Sequence, residues 1–205
     1  MLLLSTAYFA PIQYYAKLLR CEKVIIEKHE HYNKQSYRNR CTILTANGLL
    51  DLAVPVIRTE QAKIPITEVE IAYDTLWQKL HFKAIESAYR RSPFYEYYID
   101  DFMAFFNHHY RYLYDFNMSI LRTVCKLTKI PFRVEESLDY LRSGEGIIDC
   151  RNSIHPKVDQ QQADPEYIPP HYTQVFSDRW GFNPYLSILD LLFNVGPETK
   201  TILKN

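Results

Sequence analysis

A chain of 205 residues with 24 lysines and arginines against 24 aspartates and glutamates carries no net charge and no long block of one sign. That balance argues against nonspecific nucleic-acid binding, and the length supports a core that needs neither disulfides nor a metal. Cys21, Cys41, Cys125 and Cys150 are widely spaced and form no Cys-x-x-Cys pair, so free thiols in a reducing compartment are expected.

Leu2-Leu3-Leu4 is too short for a secretory or membrane-spanning segment and runs directly into polar residues, so a cytoplasmic protein without a transmembrane segment is expected. The same residues read as a buried strand. Pro11 then opens a helix through Ile12, Tyr15, Leu18 and Leu19, and residues 23 to 28 supply a second strand. This opening is a β-α-β unit, which places ligand sites at the carboxyl ends of its strands.

Asn47-Gly48 between two apolar runs is a strong hairpin signal, with Pro55 pushing the returning strand toward a sheet edge. A further short strand is predicted at Val69 to Tyr73. From Thr75 the pattern turns helical: Thr75 and Gln78 match a capping box, and Trp77, Leu80, Ala84, Ile85 and Ala88 recur at helical spacing. Ser92-Pro93 separates this helix from a second carrying Phe94, Tyr98, Phe102, Phe105 and Phe106, and a third runs from about Tyr112 to Leu127.

Beyond Pro131 the sequence predicts a strand at 131 to 135, a helix at about 136 to 142 and a strand end at Ile147-Ile148-Asp149. Residues 152 to 171 have loop composition, and so long a connection marks either a functional loop or disorder. Asn183 reads as the N-cap of a helix over Tyr185 to Asn194, stopped by Gly196-Pro197. The expected architecture is α/β: a mixed sheet begun by the β-α-β unit and hairpin, in one domain over 1–205 with a compact helical segment at about 75–128.

Several residue groups could carry chemistry. Lys34, Arg38 and Arg40, with Gln35 and Asn39 among them, suit phosphate or carboxylate oxygens and could converge with the helix N-terminus near Gln13; a solvated turn is the plainer account. Glu27, His29 and His31 alternate as metal ligands could, although a solvent-facing strand end is commoner, and no metal site is expected. His81, inside an apolar helical stripe, is either a hydrogen-bonded core residue or a general base. Asp149 and Arg151 share a strand face and suggest an ion pair. Ser187, Asp190 and Asn194 form a polar stripe, either solvated or walling a cleft. With five glycines the chain has no glycine-rich phosphate cradle, no Walker loop and no nucleophile elbow.

Several ordered motifs together resemble the WbqC-like protein family over nearly the whole chain. They are Tyr8-Phe9-Ala10-Pro11-Ile12-Gln13-Tyr14-Tyr15, Tyr32 to Arg40, Val54-Pro55-Val56, Trp77 with His81 and Tyr89, and Gly181 to Asn194. The resemblance implies a role in surface-polysaccharide (O-antigen) biosynthesis: group transfer on an anionic sugar or nucleotide sugar, or with an acyl or aminoacyl donor. A noncatalytic ligand-binding or assembly protein is the alternative. It also implies one cleft shared by Gln13, Lys34, Arg38, Asn39, Arg40, His81, Asp190 and Asn194, with His81 as general base or hydrogen-bonding group and Asp190 orienting a partner or the substrate. Another branch of the family has Pro-Tyr-x-Gly-Tyr where this chain has Pro11-Ile12-Gln13-Tyr14. A weaker topological likeness links the opening strand, proline loop and helix to the nucleotidylyltransferase fold. Gln13 replaces the histidines those enzymes use, which favours nucleotide binding over adenylyl transfer. No cofactor is specified.

Overall fold

The computed structural model describes residues 1–58 and 63–204. The opening β-α-β unit forms as its pattern predicts: β1 (Leu2–Leu4), α1 (Ile12–Arg20) and β2 (Val24–Ile26). Every side chain of β1 is fully buried, as continuous apolar runs in parallel sheets demand. β3 (Arg40–Thr45) and β4 (Gly48–Ala53) form the hairpin as a two-stranded sheet of its own. Gly48 adopts φ 102 at the turn, a conformation that suits glycine, and the Trp180 ring packs over it.

Three helices follow: α2 (Trp77–Tyr89), α3 (Tyr95–Asn107) and α4 (Leu113–Leu127). β5 (Val134–Glu136) and β6 (Ile148–Asp149) then return to the first sheet. α5 (Gln160–Ala163), α6 (Ser177–Trp180), α7 (Ile188–Val195) and α8 (Thr199–Lys204) complete the chain. The four-stranded sheet has the order β5-β2-β1-β6 with all pairs parallel. The chain therefore builds outward from β1 through β2 to β5, and reverses to place β6 on the other side. This creates a topological switch point between β1 and β6, where open α/β sheets bind ligands.

The helical middle is joined to the sheet by the loop after β1. Phe9, held at φ 39, buries its ring against Phe102, Phe105 and Phe106, while Tyr8 packs on Phe116. A phenylalanine in the left-handed region is strained, and fixing two large rings in the core is what holds it there.

Five local expectations are corrected. The Thr75/Gln78 capping box is absent: Leu76 is the N-cap residue without a side-chain hydrogen bond, and Gln78 instead donates to the Phe105 and His108 carbonyls at the end of α3. Its apolar stripe is also shifted, because Leu80 is 63% exposed whereas Trp77, His81, Ile85 and Ala88 form the buried face. The segment 137–147 is not helical, since Glu27 draws the Ser137 hydroxyl and the Leu141 amide onto its carboxylate. The predicted strand at Val69 to Tyr73 is reduced to isolated bridges of Glu70 with Tyr112 and Ile71 with Val56.

The final correction concerns α7, which starts at Ile188 and is capped by the Ser187 hydroxyl, not by Asn183. Ser187 pairs with Pro11, its amide donates to the Thr42 carbonyl, and Leu186 accepts from the Ile12 amide. These tertiary pairings keep residues 185 to 187 out of the helix despite the Asn183-Pro184 signal.

Candidate functional site

The switch point gathers residues from the segments that follow the strands. Ser5 follows β1, Glu27 and Glu30 follow β2, Ser137 follows β5, and Arg151 follows β6. Arg38 enters from the turn before β3. Its Nε donates to Glu30 Oε1 at 2.8 Å and its Nη2 to Glu30 Oε2 at 2.5 Å, a two-pronged pair in which both side chains are less than 8% exposed. The same Nη2 donates to Ser5 Oγ at 2.7 Å, and that hydroxyl donates to Glu30 Oε2 at 3.0 Å.

The Arg151–Asp149 pair expected from the strand pattern is present, with Nε to Oδ1 at 2.9 Å and Nη2 to Oδ2 at 2.6 Å. Burial pushes the Asp149 carboxyl upward, but hydrogen bonds from Arg151 and Ser143 more than offset it and hold the group at about 2. Among the described residues the Nη1 of Arg151 has no hydrogen-bond partner; it lies 3.5 Å from Glu27 Oε2 and belongs to a guanidinium stacked over the Tyr140 ring. Glu27 itself is saturated by the Ser137 hydroxyl and by the His29 and Leu141 amides. The Glu27, His29 and His31 series is thus occupied structurally at its carboxylate, and no metal-binding cluster occurs among the described residues.

Between the two arginines lies a cavity of about 440 Å³, with His29, Glu30, Asn33, Arg38, Tyr140 and Arg151 in its walls. A narrow crevice directly above β1 continues from it past Ser5, Thr6, Tyr37 and Ile154. A guanidinium and a carboxylate side by side can donate to and accept from the hydroxyls of one polar ligand, and Tyr140 offers an aromatic wall.

Of the sequence-predicted residues, Arg38 reaches this cavity. Lys34 is exposed, Arg40 crosses the hairpin to Asp51 at 3.4 Å, and Asn39 Nδ2 donates to the Val54 carbonyl at 2.9 Å. Gln13 is fully buried and donates to Asp164 at 2.7 Å, beside a Lys17–Asp164 ion pair of 2.7 Å that pins the 152–171 loop onto α1. The expected convergence of the basic turn with the α1 N-terminus does not form, because the Ile12 amide is taken by Leu186.

His81 and Asp190 sit elsewhere. His81 Nδ1 pairs with the Tyr8 hydroxyl at 2.9 Å between Trp77 and Phe116, and burial lowers the imidazole to about 4, so it is neutral at pH 7. Asp190 is 1% exposed, accepts from Tyr172 at 2.6 Å, and is pushed by burial up to about 6. Asn194 Nδ2 donates to the Asp190 carbonyl within the same helix. The polar stripe of α7 is therefore largely buried and internally bonded. Ser5, Glu30 and Tyr140 were not singled out from the sequence; the available signal was their position after strand ends of a β-α-β fold.

The fold and its crevice define an α/β protein with a polar cavity at a parallel-sheet switch point. The chain belongs to the WbqC-like protein family, whose profile matches residues 6–163 and 158–202. It is 28% identical over 218 residues to the "Uncharacterized protein Rv1507c" of Mycobacterium tuberculosis, covering 93% of this chain and 91% of that protein. No solved structure matches. Among the described residues no helix is long and apolar enough to cross a membrane.

Proposed function

We propose that the protein is a cytoplasmic enzyme of surface-polysaccharide biosynthesis, performing group transfer on an anionic sugar or nucleotide-sugar ligand held in the switch-point cavity. The observation that carries this reading is the meeting of Arg38–Glu30 and Arg151 at the carboxyl ends of β1, β2 and β6. Glu30 accepts from sugar hydroxyls, the guanidiniums donate to sugar or phosphate oxygens, and Tyr140 stacks on the ring face. In this reading His81 positions the β1–α1 loop through Tyr8, and Asp190 anchors α7 through Tyr172.

A panel of nucleotide sugars, sugar phosphates and acyl donors in thermal-shift measurements tests it. Sugar-bearing ligands are expected to raise the melting temperature, and Arg151→Gln to abolish the rise; a panel with no stabilising sugar ligand sinks the reading. His81→Gln is expected to leave turnover within a few-fold, whereas a general base would lose about 100-fold or more.

One observation favours the noncatalytic alternative. Glu30, the carboxylate in the cavity wall, and the fully buried Glu27 behind it already have their oxygens engaged by protein donors, so neither is idle as a base. Ligand-induced stabilisation without product from any donor and acceptor pair would select a binding or assembly role.

A further inference from the structure

A separate cavity, of about 200 Å³, lies at the opposite end of the four-stranded sheet from the polar one. Cys21 in its wall precedes the amino end of β2, and Pro131 and Arg133 precede that of β5. Glu27, Glu30 and Ser137 follow the carboxyl ends of the same two parallel strands, so the sheet stands between the two cavities. Leu18 of α1 and Pro131 give the smaller cavity apolar walls, while Arg133 and the α8 residues Lys200 and Lys204 line it with cationic side chains. No acidic residue lines it.

This gathering of one sign is local, because the chain as a whole is neutral. Nearby Lys23 and Lys28 each reach a carboxylate on β5, Glu135 and Glu136, both at 3.4 Å. Among the described residues Arg133, Lys200 and Lys204 have no carboxylate within ion-pair distance. Helix ends explain only part of the cluster. Lys204 stands in the last turn of α8, where a cation suits the helix dipole, and Arg20 at the end of α1 donates to the Lys204 carbonyl at 3.4 Å. Lys200 is half-buried in the first turn of α8, the end that favours acidic residues, and Arg133 lies in the chain leading into a strand. Neither serves a helix terminus. Like charges around one cavity repel, and an anion held between them relieves that repulsion.

We infer that this cavity is a phosphate-binding site, separate from the switch-point cavity, for inorganic pyrophosphate or a small phosphate ester. One guanidinium and two ammonium groups donate to several oxygens of a multiply charged group, whereas a single carboxylate occupies fewer of them. The volume is below the roughly 300–1,000 Å³ of sites for drug-sized ligands, so it suits a phosphate or pyrophosphate group and not a whole nucleotide. Cys21 supplies a reporter within the wall: it is partly exposed, while Cys41, Cys125 and Cys150 are buried.

Calorimetric titration of the full chain with pyrophosphate and with glycerol 3-phosphate, at fixed ionic strength, tests the site. Binding by at least one is expected, weakened about tenfold in Lys200→Gln and in Arg133→Gln, since each removes a charged donor. Arg151→Gln, at the other end of the sheet, is expected to leave the affinity unchanged. The tighter of the two probes tells a free pyrophosphate site from an ester site. Iodoacetamide labelling located by mass spectrometry is expected to slow several-fold at Cys21 when the anion is bound. Circular dichroism is expected to show both variants folded, because each change lessens repulsion between like charges. Binding by neither probe overturns the inference, as does binding that Lys200→Gln and Arg133→Gln leave intact. Binding lost in Arg151→Gln alone places the anion in the polar cavity and also overturns it, while leaving the sugar reading of that cavity standing.

Discussion

Two buried carboxylates, Glu30 at the switch point and Asp190 in α7, are held in opposite ways. Glu30 is gripped by a guanidinium through two hydrogen bonds and faces a cavity. Asp190 is met by the Tyr172 hydroxyl, with no cationic partner among the described residues, and burial raises it to about 6. A paired charge next to a cavity is organised to meet a ligand. An unpaired one in the core serves as a hydrogen-bond acceptor, and its charge is disfavoured by the fold. His81 belongs with Asp190: it is a titratable group in the aromatic core whose charged form burial suppresses.

The largest expected effect comes from breaking the paired site. Arg38→Met leaves Glu30 buried without a cation and is expected to lower unfolding free energy by about 3–5 kcal/mol in urea titrations. Adding Glu30→Gln should recover part of that loss, because the uncompensated charge is removed. Recovery of nothing would mean that Arg38 acts through packing and the Ser5 bond.

The unpaired site makes a prediction about pH. With its carboxyl raised from the ordinary 3.8 to about 6, Asp190 holds more protons in the native state across that range, so its contribution makes stability fall as pH rises from about 4 to 6. His81, lowered from 6.5 to about 4, holds fewer protons than the unfolded chain between those values, so its contribution rises with pH. Each spans roughly 3 kcal/mol, and they largely cancel. Asp190→Asn is therefore expected to expose a rising pH–stability profile from 4 to 6.5, and His81→Gln a falling one from 4 to 6. Chemical denaturation across that range checks both signs, and parallel profiles for the two variants would refute the assignment.

Tyr172→Phe should give the smallest change, about 1–2 kcal/mol, because it removes one donor from a buried carboxylate. It should also raise the Asp190 carboxyl further, extending the falling part of the profile above pH 6.

Much of the scaffold was legible along the chain. Leu2-Leu3-Leu4, Pro11, Asn47-Gly48 and Ser92-Pro93 are local signals whose physics is completed within a few residues, and the β-α-β opening, hairpin and helical middle follow them. The site was less legible. Arg38 was found because the basic turn is unusual in composition, and Arg151 because it shares a strand face with Asp149. Glu30 and Ser5 carry no local signature and matter only because the strand order brings their loops together.

The sequence by itself therefore determined the α/β class, the positions of most elements and the presence of a cationic turn, since periodicity and turn chemistry act at short range. Tertiary structure decided which polar residues meet. Glu27 pulled 137–147 away from helix, Leu186 and Ser187 closed the α1 N-terminus, and Asp164 captured Gln13. Each is a buried polar group satisfied by a partner more than a hundred residues away, and no pattern along the chain records such a partner.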